Sequence, residues 1–462
     1  MGRMKRIRIK ELLAATTSQS DVTVCGWVRT IRRGKEVIFI ELNDGSCLAS
    51  LQIVASPDLP GLNAAGLGTG ACLQVAGEIL PSPAVGQAWE LRASALTLLG
   101  PADESFPLQK KRHSLESLRS IAHLRPRANT FGAVFRLRRA LAFAIHRFFR
   151  ERSFTYVHTP IITASDCEGA GELFRVTTLD PQAPPLVDGQ VDWKADFFAE
   201  KTGLTVSGQL EGELCALALG DIYTFGPTFR AEDSHTSRHA AEFWMIEPEM
   251  AFADLSDDCA LAEEFLRYLV TFALNECGED LSFFNDRIEP GLIVRLEALA
   301  TASFATMTYS EAVERLLRSG RSFEYPVAWG CDLQSEHERF LTEEIIGGPL
   351  FVTDYPAELK AFYMRLSDDQ RTVAAMDLLV PRVGEIIGGS QREEREEVLR
   401  GQMLKKGVSP EALWWYLDTR RWGSCPHAGF GLGFERLIMY LSGMENIRDV
   451  IPFPRTPGSA KF

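Results

Sequence analysis

The sequence predicts an α+β fold in which a small β-barrel precedes a larger domain of helices and strands. Short runs rich in β-forming residues alternate with turn residues over positions 21–99. Apolar residues recur at helical spacing from Val134 onwards, and two strand-like runs flank a charged loop that follows Phe229. With 462 residues, the chain is long enough for two or three domains, each with its own core.

The barrel prediction rests on five β-rich runs separated by turns, among them Asn43-Asp44-Gly45. These runs cover residues 22–28, 37–42, 48–54, 72–80 and 89–98. Five short strands with glycine punctuation favour an OB-fold, whose open face binds oligonucleotides by stacking bases on aromatic side chains. The predicted domains are therefore a barrel over residues 1–106, a linker over 107–130 and a large domain over 131–462.

The large domain begins with a predicted amphipathic helix. Its apolar stripe consists of Val134, Leu137, Leu141, Ile145 and Phe148, with arginines between them. A strand ending at Pro160 follows. Further along, a second helix is predicted over residues 255–277 with Ser256 as its N-cap, whereas residues 289–337 carry no chemical signature.

The composition argues against a disulfide-linked, a zinc-binding or a membrane-spanning protein. The nine cysteines never form a CxxC pair, which favours reduced thiols over a disulfide or zinc framework. No run approaches the roughly 20 apolar residues of a membrane helix, so we expect a cytoplasmic protein without a membrane partner. The net charge of −13 argues against DNA, but residues 110–152 hold twelve Lys and Arg against two acids. That block predicts either a solvated helical face or an RNA-facing surface.

Two motifs carry the chemistry. The first runs from Phe229-Arg230-Ala231-Glu232 through Ser237-Arg238-His239 to Glu242-Phe243, and the second is Gly429-Phe430-Gly431-Leu432-Gly433-Phe434-Glu435-Arg436. Taken alone, the first could be an Arg–Glu pair on a surface hairpin. The second lacks the βαβ unit and ribose-binding acid of a Rossmann site, which excludes a dinucleotide fold.

In this order and behind a predicted barrel, the two motifs resemble motifs 2 and 3 of the class II aminoacyl-tRNA synthetases, most closely the aspartate, asparagine and lysine subgroup. The resemblance covers nearly the whole chain. It implies a catalytic domain built on an antiparallel β-sheet flanked by helices, behind an anticodon-binding OB-fold. It also implies a homodimer formed through the helix and strand that end at Pro160, which resemble motif 1.

By this resemblance, Arg230, Glu232 and Arg436 are catalytic, with Arg230 bridging the substrate carboxylate and the α-phosphate of ATP. Phe243 would stack on adenine, and Arg436 would pair with the γ-phosphate. The implied ATP-binding residues are Arg230, Glu232, Arg238, His239, Phe243, Glu385, Gly433 and Arg436. Hard carboxylate oxygens suit Mg²⁺, and the implied ligands are Glu385 and Asp377. Gly388 stands where some relatives have a serine ligand.

The resemblance also indicates which amino acid is the substrate, asparagine or aspartate. Aspartyl enzymes carry a lysine where this chain has Gly212, and a site without that cation suits a neutral amide better than a carboxylate. Glu247 would accept a hydrogen bond from the asparagine amide nitrogen while Arg392 donates to its oxygen. The alternative is that Glu247 is a strand residue satisfied by Arg392. The implied ligands of the α-amino group are Glu168, Ser207 and Gln209.

In the barrel, Phe39 and Gln52 match positions that stack on and hydrogen-bond the central anticodon uridine in relatives. Arg29, with Arg32 and Arg33, would hold nearby phosphates. The alternative for Phe39 is a place in the barrel core. Asparagine and aspartate anticodons share this uridine, so these residues support tRNA binding without choosing between the two.

The function expected from the resemblance is ATP-dependent attachment of asparagine to its tRNA through an asparaginyl-adenylate. Aspartyl-tRNA synthetase activity is one alternative, and a tRNA-independent asparagine synthetase without a barrel is another. A non-enzymatic RNA-binding scaffold is a third, but it would tolerate loss of Arg230, Glu232, Glu385 or Arg436, and the chain has all four.

Overall fold

The computed structural model describes residues 6–165, 173–234 and 236–462. Two compact units are present: residues 1–136 with Phe462, and residues 137–461. In the described part of the chain, no helix combines the length and the apolar character that crossing a membrane requires. Each unit has its own apolar core, as the length suggested.

The first unit contains a closed five-stranded barrel in the order β1-β2-β3-β5-β4. Its strands are β1 Gln19–Arg33, β2 Ile38–Asn43, β3 Leu51–Ala55, β4 Cys72–Pro81 and β5 Trp89–Gly100. All five predicted strands are confirmed. Val22, Val24 and Val28 alternate into the barrel interior, where their exposed fractions are 2% or less. β1 is longer than predicted because it pairs with β4 through its first half and with β2 through its second.

The second unit is built on an eight-stranded sheet in the order β14-β15-β16-β17-β18-β13-β12-β6 within the described residues. Its strands are β6 Thr155–Tyr156, β12 Asp221–Phe229, β13 Glu242–Ala251, β14 Ala305–Thr308, β15 Leu350–Pro356, β16 Thr372–Val380, β17 Gly384–Gln391 and β18 His427–Gly433. The six central strands are antiparallel, as expected. The edge strands β14 and β6 run parallel to their neighbours, so the sheet is mixed.

Short strands outside this sheet form two small pairings. The strands are β7 Ile162–Thr163, β8 Arg175–Val176, β9 Leu186–Val187, β10 Gln190–Val191 and β11 Thr202–Leu204. β11 pairs with both β7 and β8, and β9 forms a hairpin with β10. This segment leads directly into the helix over Gln209–Leu219.

The helices are α1 Ile9–Leu13, α2 Leu115–Arg119, α3 Asn129–Glu151, α4 Gln209–Leu219, α5 Leu255–Glu276, α6 Gly278–Arg287, α7 Leu292–Thr301, α8 Tyr309–Arg318, α9 Ser335–Arg339, α10 Glu396–Lys405, α11 Trp414–Arg421 and α12 Phe434–Ser442. α4 packs on β12 and β13, and α5 packs on β16, β17 and β18. The predicted apolar stripe of α3, from Val134 to Phe148, is fully buried. Residues 289–337, which had no sequence signature, contribute α7, α8 and β14 to this unit.

The N-cap of α5 differs from the prediction. Asp254, rather than Ser256, accepts hydrogen bonds from the backbone N–H groups of Ser256 and Asp257 at 2.8 and 3.1 Å. The Asp257 carboxylate in turn accepts from the Asp254 N–H at 3.0 Å, which completes a reciprocal capping box. Asp254 has the extended backbone conformation that a cap requires, and Ser256 is already inside the helix.

We expect Asp254→Ala to destabilise the second unit by about 1 kcal/mol, because it removes the acceptor for two backbone donors. Ser256→Ala is the matched control and should change stability by less than about 0.5 kcal/mol. Both values can be measured from shifts in the urea midpoint of unfolding. Equal effects of the two substitutions would contradict the assignment of the cap.

Candidate active site

The central hairpin of the sheet positions the first motif. β12 and β13 pair antiparallel from Asp221 opposite Met250 to Phe229 opposite Glu242. Arg230 follows directly after β12, and its backbone N–H donates to the Ala241 carbonyl at 3.0 Å. Its guanidinium carbon lies 5.4 Å from the centre of the Phe243 ring on β13, which is a cation–π distance. Arg230 is therefore held at the end of a central strand, not on a surface hairpin.

One cavity brings together all eight residues expected to bind ATP. It is lined by Arg230, Glu232, Arg238, His239, Phe243, Glu385, Gly433 and Arg436. These side chains come from the β12–β13 hairpin, from β17 and from the junction of β18 with α12. The His239 ring contacts the hydroxyls of Ser234 and Thr236 at 3.1 and 2.5 Å, and burial lowers its pKa below the usual value. We call this space the nucleotide cavity.

A second cavity adjoins the first and is lined by predicted amino-acid ligands. It contains Ser207, Gln209, Glu247 and Arg392 together with Asp377. The two cavities share Arg230, Met245, Glu385 and Gly431. The Arg230 guanidinium and the Glu385 carboxylate thus lie where the two cavities meet. We call the second space the substrate cavity.

The two expected metal ligands face one another across Gly388. A Cβ atom at Gly388 would lie 3.1 Å from Glu385 Oε1 and 3.4 Å from Asp377 Oδ1, so the glycine leaves open the space between two carboxylates. Burial alone would raise the pKa of Glu385, but Arg436, Lys360 and Arg230 outweigh it and lower the pKa. Lys360 Nζ donates to both oxygens of Asp377, at 2.7 and 2.9 Å. In the described residues, no cluster of three or more His, Cys, Asp or Glu side chains has the arrangement of a metal site.

Glu247 does not pair with Arg392, so the alternative in which Arg392 satisfies it is wrong. The Glu247 carboxylate accepts hydrogen bonds from the Ser207 hydroxyl, the Gly208 N–H at 3.0 Å and the Thr224 hydroxyl at 2.9 Å. Thr224 stands directly opposite Glu247 in the hairpin, which fixes this contact. A carboxylate offers about four acceptor positions, so Glu247 retains room for one further donor.

Arg392 instead pairs with Glu249, two residues along β13. Its Nη2 and Nε donate to the two Glu249 oxygens at 2.5 and 3.1 Å, a bidentate pair. Glu213 on α4 lies 3.8 Å from Arg392 Nε. Burial by itself would lower the pKa of Arg392, but the two glutamates outweigh it and raise the pKa. The Arg392 charge is thus already compensated by the chain.

Glu213 joins this pair to the rest of the site. Its fully buried carboxylate accepts from Arg420 Nη2 at 2.5 Å, from the Tyr416 hydroxyl at 2.6 Å and from Gln209 Nε2 at 2.9 Å. The His427 ring nitrogen lies 3.2 Å away. Burial would raise the pKa of Glu213, but Arg420, His427 and Arg392 outweigh it and lower the pKa. We call Glu213, Glu249, Arg392, Arg420 and His427 the charge network.

Sequence reasoning missed Glu249, Glu213 and Lys360. Two of these carried a usable signal: Glu249 is two residues from Glu247 and therefore faces the same side of a strand, and Glu213 is four residues from Gln209 on one helical face. Lys360 carried no signal, because it lies in a loop between β15 and β16. Glu168 lies outside the described residues.

The barrel residues divide into two groups. Phe39 is 37% exposed, which rejects its place in the barrel core. The Arg32 guanidinium lies 5.4 Å from the Phe39 ring centre, and its Nη2 is 3.5 Å from Gln52 Oε1. Arg29 is different: it is half-buried and donates to the Arg127 carbonyl and to Asn43. The role of Arg29 in holding tRNA phosphate stays a prediction, and part of its guanidinium is already bonded to oxygens of the chain.

Comparison with known proteins decides the family. Residues 115–457 match the model of the class II tRNA synthetases for D, K and N, and residues 22–99 match an OB-fold nucleic acid binding domain. The chain belongs to this class II synthetase family. It is 68% identical over 458 residues to an asparagine–tRNA ligase of Geobacter metallireducens, with 99% of each chain covered. A second relative, the asparagine–tRNA ligase of Geobacter sulfurreducens, is 67% identical over 459 residues. The match covers 99% of this chain and 100% of that one.

Solved structures of the family agree with the fold. The asparaginyl-tRNA synthetase of Pyrococcus horikoshii complexed with asparaginyl-adenylate superposes with a TM-score of 0.87 at 30% identity, covering 99% of this chain and 100% of that one. The aspartyl-tRNA synthetase of Entamoeba histolytica superposes with a TM-score of 0.73 at 20% identity, covering 99% and 92%. The second likeness bears on the fold alone.

We expect Glu213→Gln to lower the free energy of unfolding by about 3–5 kcal/mol, because it leaves Arg420 without its buried counter-charge. Glu263→Gln is the matched control: Glu263 pairs with Arg267 on the surface of α5, and its loss should cost less than about 1 kcal/mol. Urea titration monitored by circular dichroism measures both. Since the pKa of Glu213 is lower in the folded state, its contribution should be present at neutral pH and decline on acidification. A Glu213→Gln variant as stable as Glu263→Gln would contradict the network.

Proposed function

We propose that this chain is an asparagine–tRNA ligase. It activates asparagine with ATP and transfers it to the 3′-terminal adenosine of its tRNA. The observation that carries this proposal is the meeting of the nucleotide and substrate cavities at Arg230 and Glu385. Support also comes from relatives named asparagine–tRNA ligase that match the chain along its length.

Activation brings two anions together, and the arginines make this possible. An asparagine carboxylate oxygen forms a bond to the α-phosphorus of ATP, and the bond from that phosphorus to the bridging β-oxygen breaks. Negative charge builds on the phosphoryl oxygens, where fixed cations stabilise the transition state. Arg230 lines both cavities, so it would contact both anions, and Arg436 lines the nucleotide cavity beside Glu385, where it would hold the phosphate chain.

Mg²⁺ fits the space between Glu385 and Asp377. An oxygen of Glu385 and one of Asp377 lie 3.1 and 3.4 Å from the position that a Cβ at Gly388 would take, and hard oxygen ligands would suit this ion. When bound, the ion neutralises charge on the ATP phosphates. Lys360 stabilises Asp377 in the ionised form that a ligand needs, since its ammonium opposes the effect of burial, which raises the pKa of Asp377.

The charge network explains the choice of an amide over a carboxylate. Glu249 and Glu213 compensate Arg392, so a second carboxylate on the substrate would meet a cation already neutralised. Glu247 adds a negative charge that accepts from an amide N–H but repels a carboxylate. Ser207 and Gln209, at the start of α4, lie beside it and offer acceptors for the α-amino group. Glu168 completes the expected set.

The barrel supplies anticodon binding. Exposed Phe39 on β2 offers a stacking surface. Gln52 on the adjacent strand β3 is 7% exposed, and its Oε1 lies 3.5 Å from Arg32 Nη2 on β1. A homodimer forms through the motif 1 region: the edge strand β6 leaves one side of the sheet without a strand neighbour among the described residues, and Tyr156 there is 51% exposed. The enzyme works in the cytoplasm and binds neither DNA nor membranes.

Exchange of labelled pyrophosphate into ATP, with Mg²⁺ present, tests this proposal directly. We expect exchange with asparagine and none above background with aspartate at the same concentration. Exchange with aspartate alone would identify an aspartyl-tRNA synthetase. Asparagine formed from aspartate and ammonia without RNA would identify a tRNA-independent synthetase, and no reaction of any kind would favour a scaffold.

We expect Gly212→Lys to shift preference toward aspartate. A Cβ at Gly212 would meet the Ile222, Glu249 and Thr224 side chains at ordinary contact distances of 3.4–3.9 Å, so an added side chain would begin without a clash beside Glu249. The ratio of kcat/KM for asparagine over aspartate should fall by about tenfold or more, the effect of about 1.4 kcal/mol. Gly212→Ala adds bulk without charge and should leave the ratio unchanged. The same change in both variants would contradict the electrostatic explanation.

A further inference from the structure

A third cavity adjoins the nucleotide cavity. The two spaces share Arg238 and Arg436. Beyond them the third cavity is lined by Arg295, Arg339 and Arg382, and its volume is about 540 Å³. We call it the arginine cavity. Five guanidinium groups around one space are unusual in a chain whose net charge is −13.

The acidic side chains of this cavity do not balance its arginines. Glu289 is shared by Arg295, at 2.9 Å, and Arg382, at 3.1 Å. The two other acids that line the cavity are Glu343, whose carboxylate accepts the Arg382 backbone N–H at 2.7 Å, and Glu445. Five arginines and three glutamates therefore line the cavity. Arg436 also pairs with Glu385, at 3.4 Å, so the positive excess rests on Arg238 and Arg339.

Two of the arginines have neutral partners. Arg238 Nη1 donates to the Ser335 hydroxyl at 2.7 Å, and Arg339 Nε donates to the Arg382 carbonyl at 3.1 Å. Within the described ranges, neither forms an ion pair at 4 Å or less. Burial lowers the pKa of Arg238, and the neighbouring charges of Arg339 and Arg436 lower it further, although the carboxylates of Glu338 and Glu385 partly oppose this shift. Like charges held this close favour a polyvalent anion between them.

The chemistry of the lining identifies the anion. Guanidinium groups bind phosphate oxygens through two parallel hydrogen bonds, and several such groups suit a compact phosphate with three or four charges. The cavity begins at Arg436, where the phosphate chain of ATP ends in the proposed function. The anion released at that end when the α-phosphorus bonds to the asparagine carboxylate is inorganic pyrophosphate, which leaves with the electrons of the broken bond.

We propose that the arginine cavity receives pyrophosphate as it leaves the adenylate. This inference rests on the proposed function and adds an exit site to it. Arg238 and Arg436 pass the anion from one cavity to the other, and Arg339 and Arg382 hold it beyond reach of the α-phosphorus. Moving the leaving group away opposes its attack on the adenylate, which would re-form ATP. By microscopic reversibility, pyrophosphate enters through the same cavity in the reverse reaction.

The test is Arg339→Gln, because Arg339 lines the arginine cavity but not the nucleotide cavity. In asparagine-dependent exchange we expect the KM for pyrophosphate to rise about tenfold, the loss of one charge-assisted contact. The inhibition constant of pyrophosphate in tRNA charging should rise equally. The KM values for ATP and asparagine should stay within about twofold. Arg318→Gln is the matched control, since Arg318 is an exposed arginine paired with Glu314 on α8, and it should change none of these constants.

Arg382→Gln provides a second, independent variant, and thermal unfolding verifies that each variant is folded. An unchanged KM for pyrophosphate in a folded Arg339→Gln or Arg382→Gln protein would overturn the exit site. Equal rises in the KM for ATP and for pyrophosphate would also overturn it, because the arginines would then belong to ATP binding. Absence of asparagine-dependent exchange in the unaltered protein would instead contradict the proposed function.

Discussion

The structure of the active site depends on the buried charge network around Glu213. Its members come from five elements: α4, β13, the segment after β17, α11 and the first residue of β18. Taking these ions out of water costs several kcal/mol each, and the cost is offset only because every carboxylate oxygen faces a cation or a hydrogen-bond donor. The network therefore fixes α4 against the sheet, and with it Ser207 and Gln209 at the head of that helix.

Close approach of β18 to β13 lets this network form. A Cβ at Gly429 would lie 2.3 Å from the Pro248 carbonyl and 2.5 Å from the Glu249 carboxyl carbon, so only glycine fits there. Gly431, two residues along, lines both the nucleotide and the substrate cavities. The glycines of one motif thus serve two purposes: one admits Glu249 to the interior, and the other keeps the junction of the cavities open.

Charge differs from one cavity to the next. Glu249 compensates Arg392 in the substrate cavity, Arg230 lines both the substrate and the nucleotide cavities, and the arginine cavity has more arginines than glutamates in its lining. In the proposed function, a neutral amide would meet the compensated Arg392, and the polyphosphate would meet the arginines.

The sequence by itself determined the barrel strands and the buried stripe of α3, and the family resemblance of its motifs indicated eight of the residues that line the nucleotide cavity. Local patterns encode these: alternation along a strand, helical spacing, and two motifs that each lie within a short stretch of chain. Only the tertiary structure decided that Arg392 pairs with Glu249, which is 143 residues away, and that Lys360 pairs with Asp377. It likewise turned the Arg29 guanidinium onto the chain's own carbonyl. Such partners depend on strand order and register across the sheet, and no local pattern records which distant strands become neighbours.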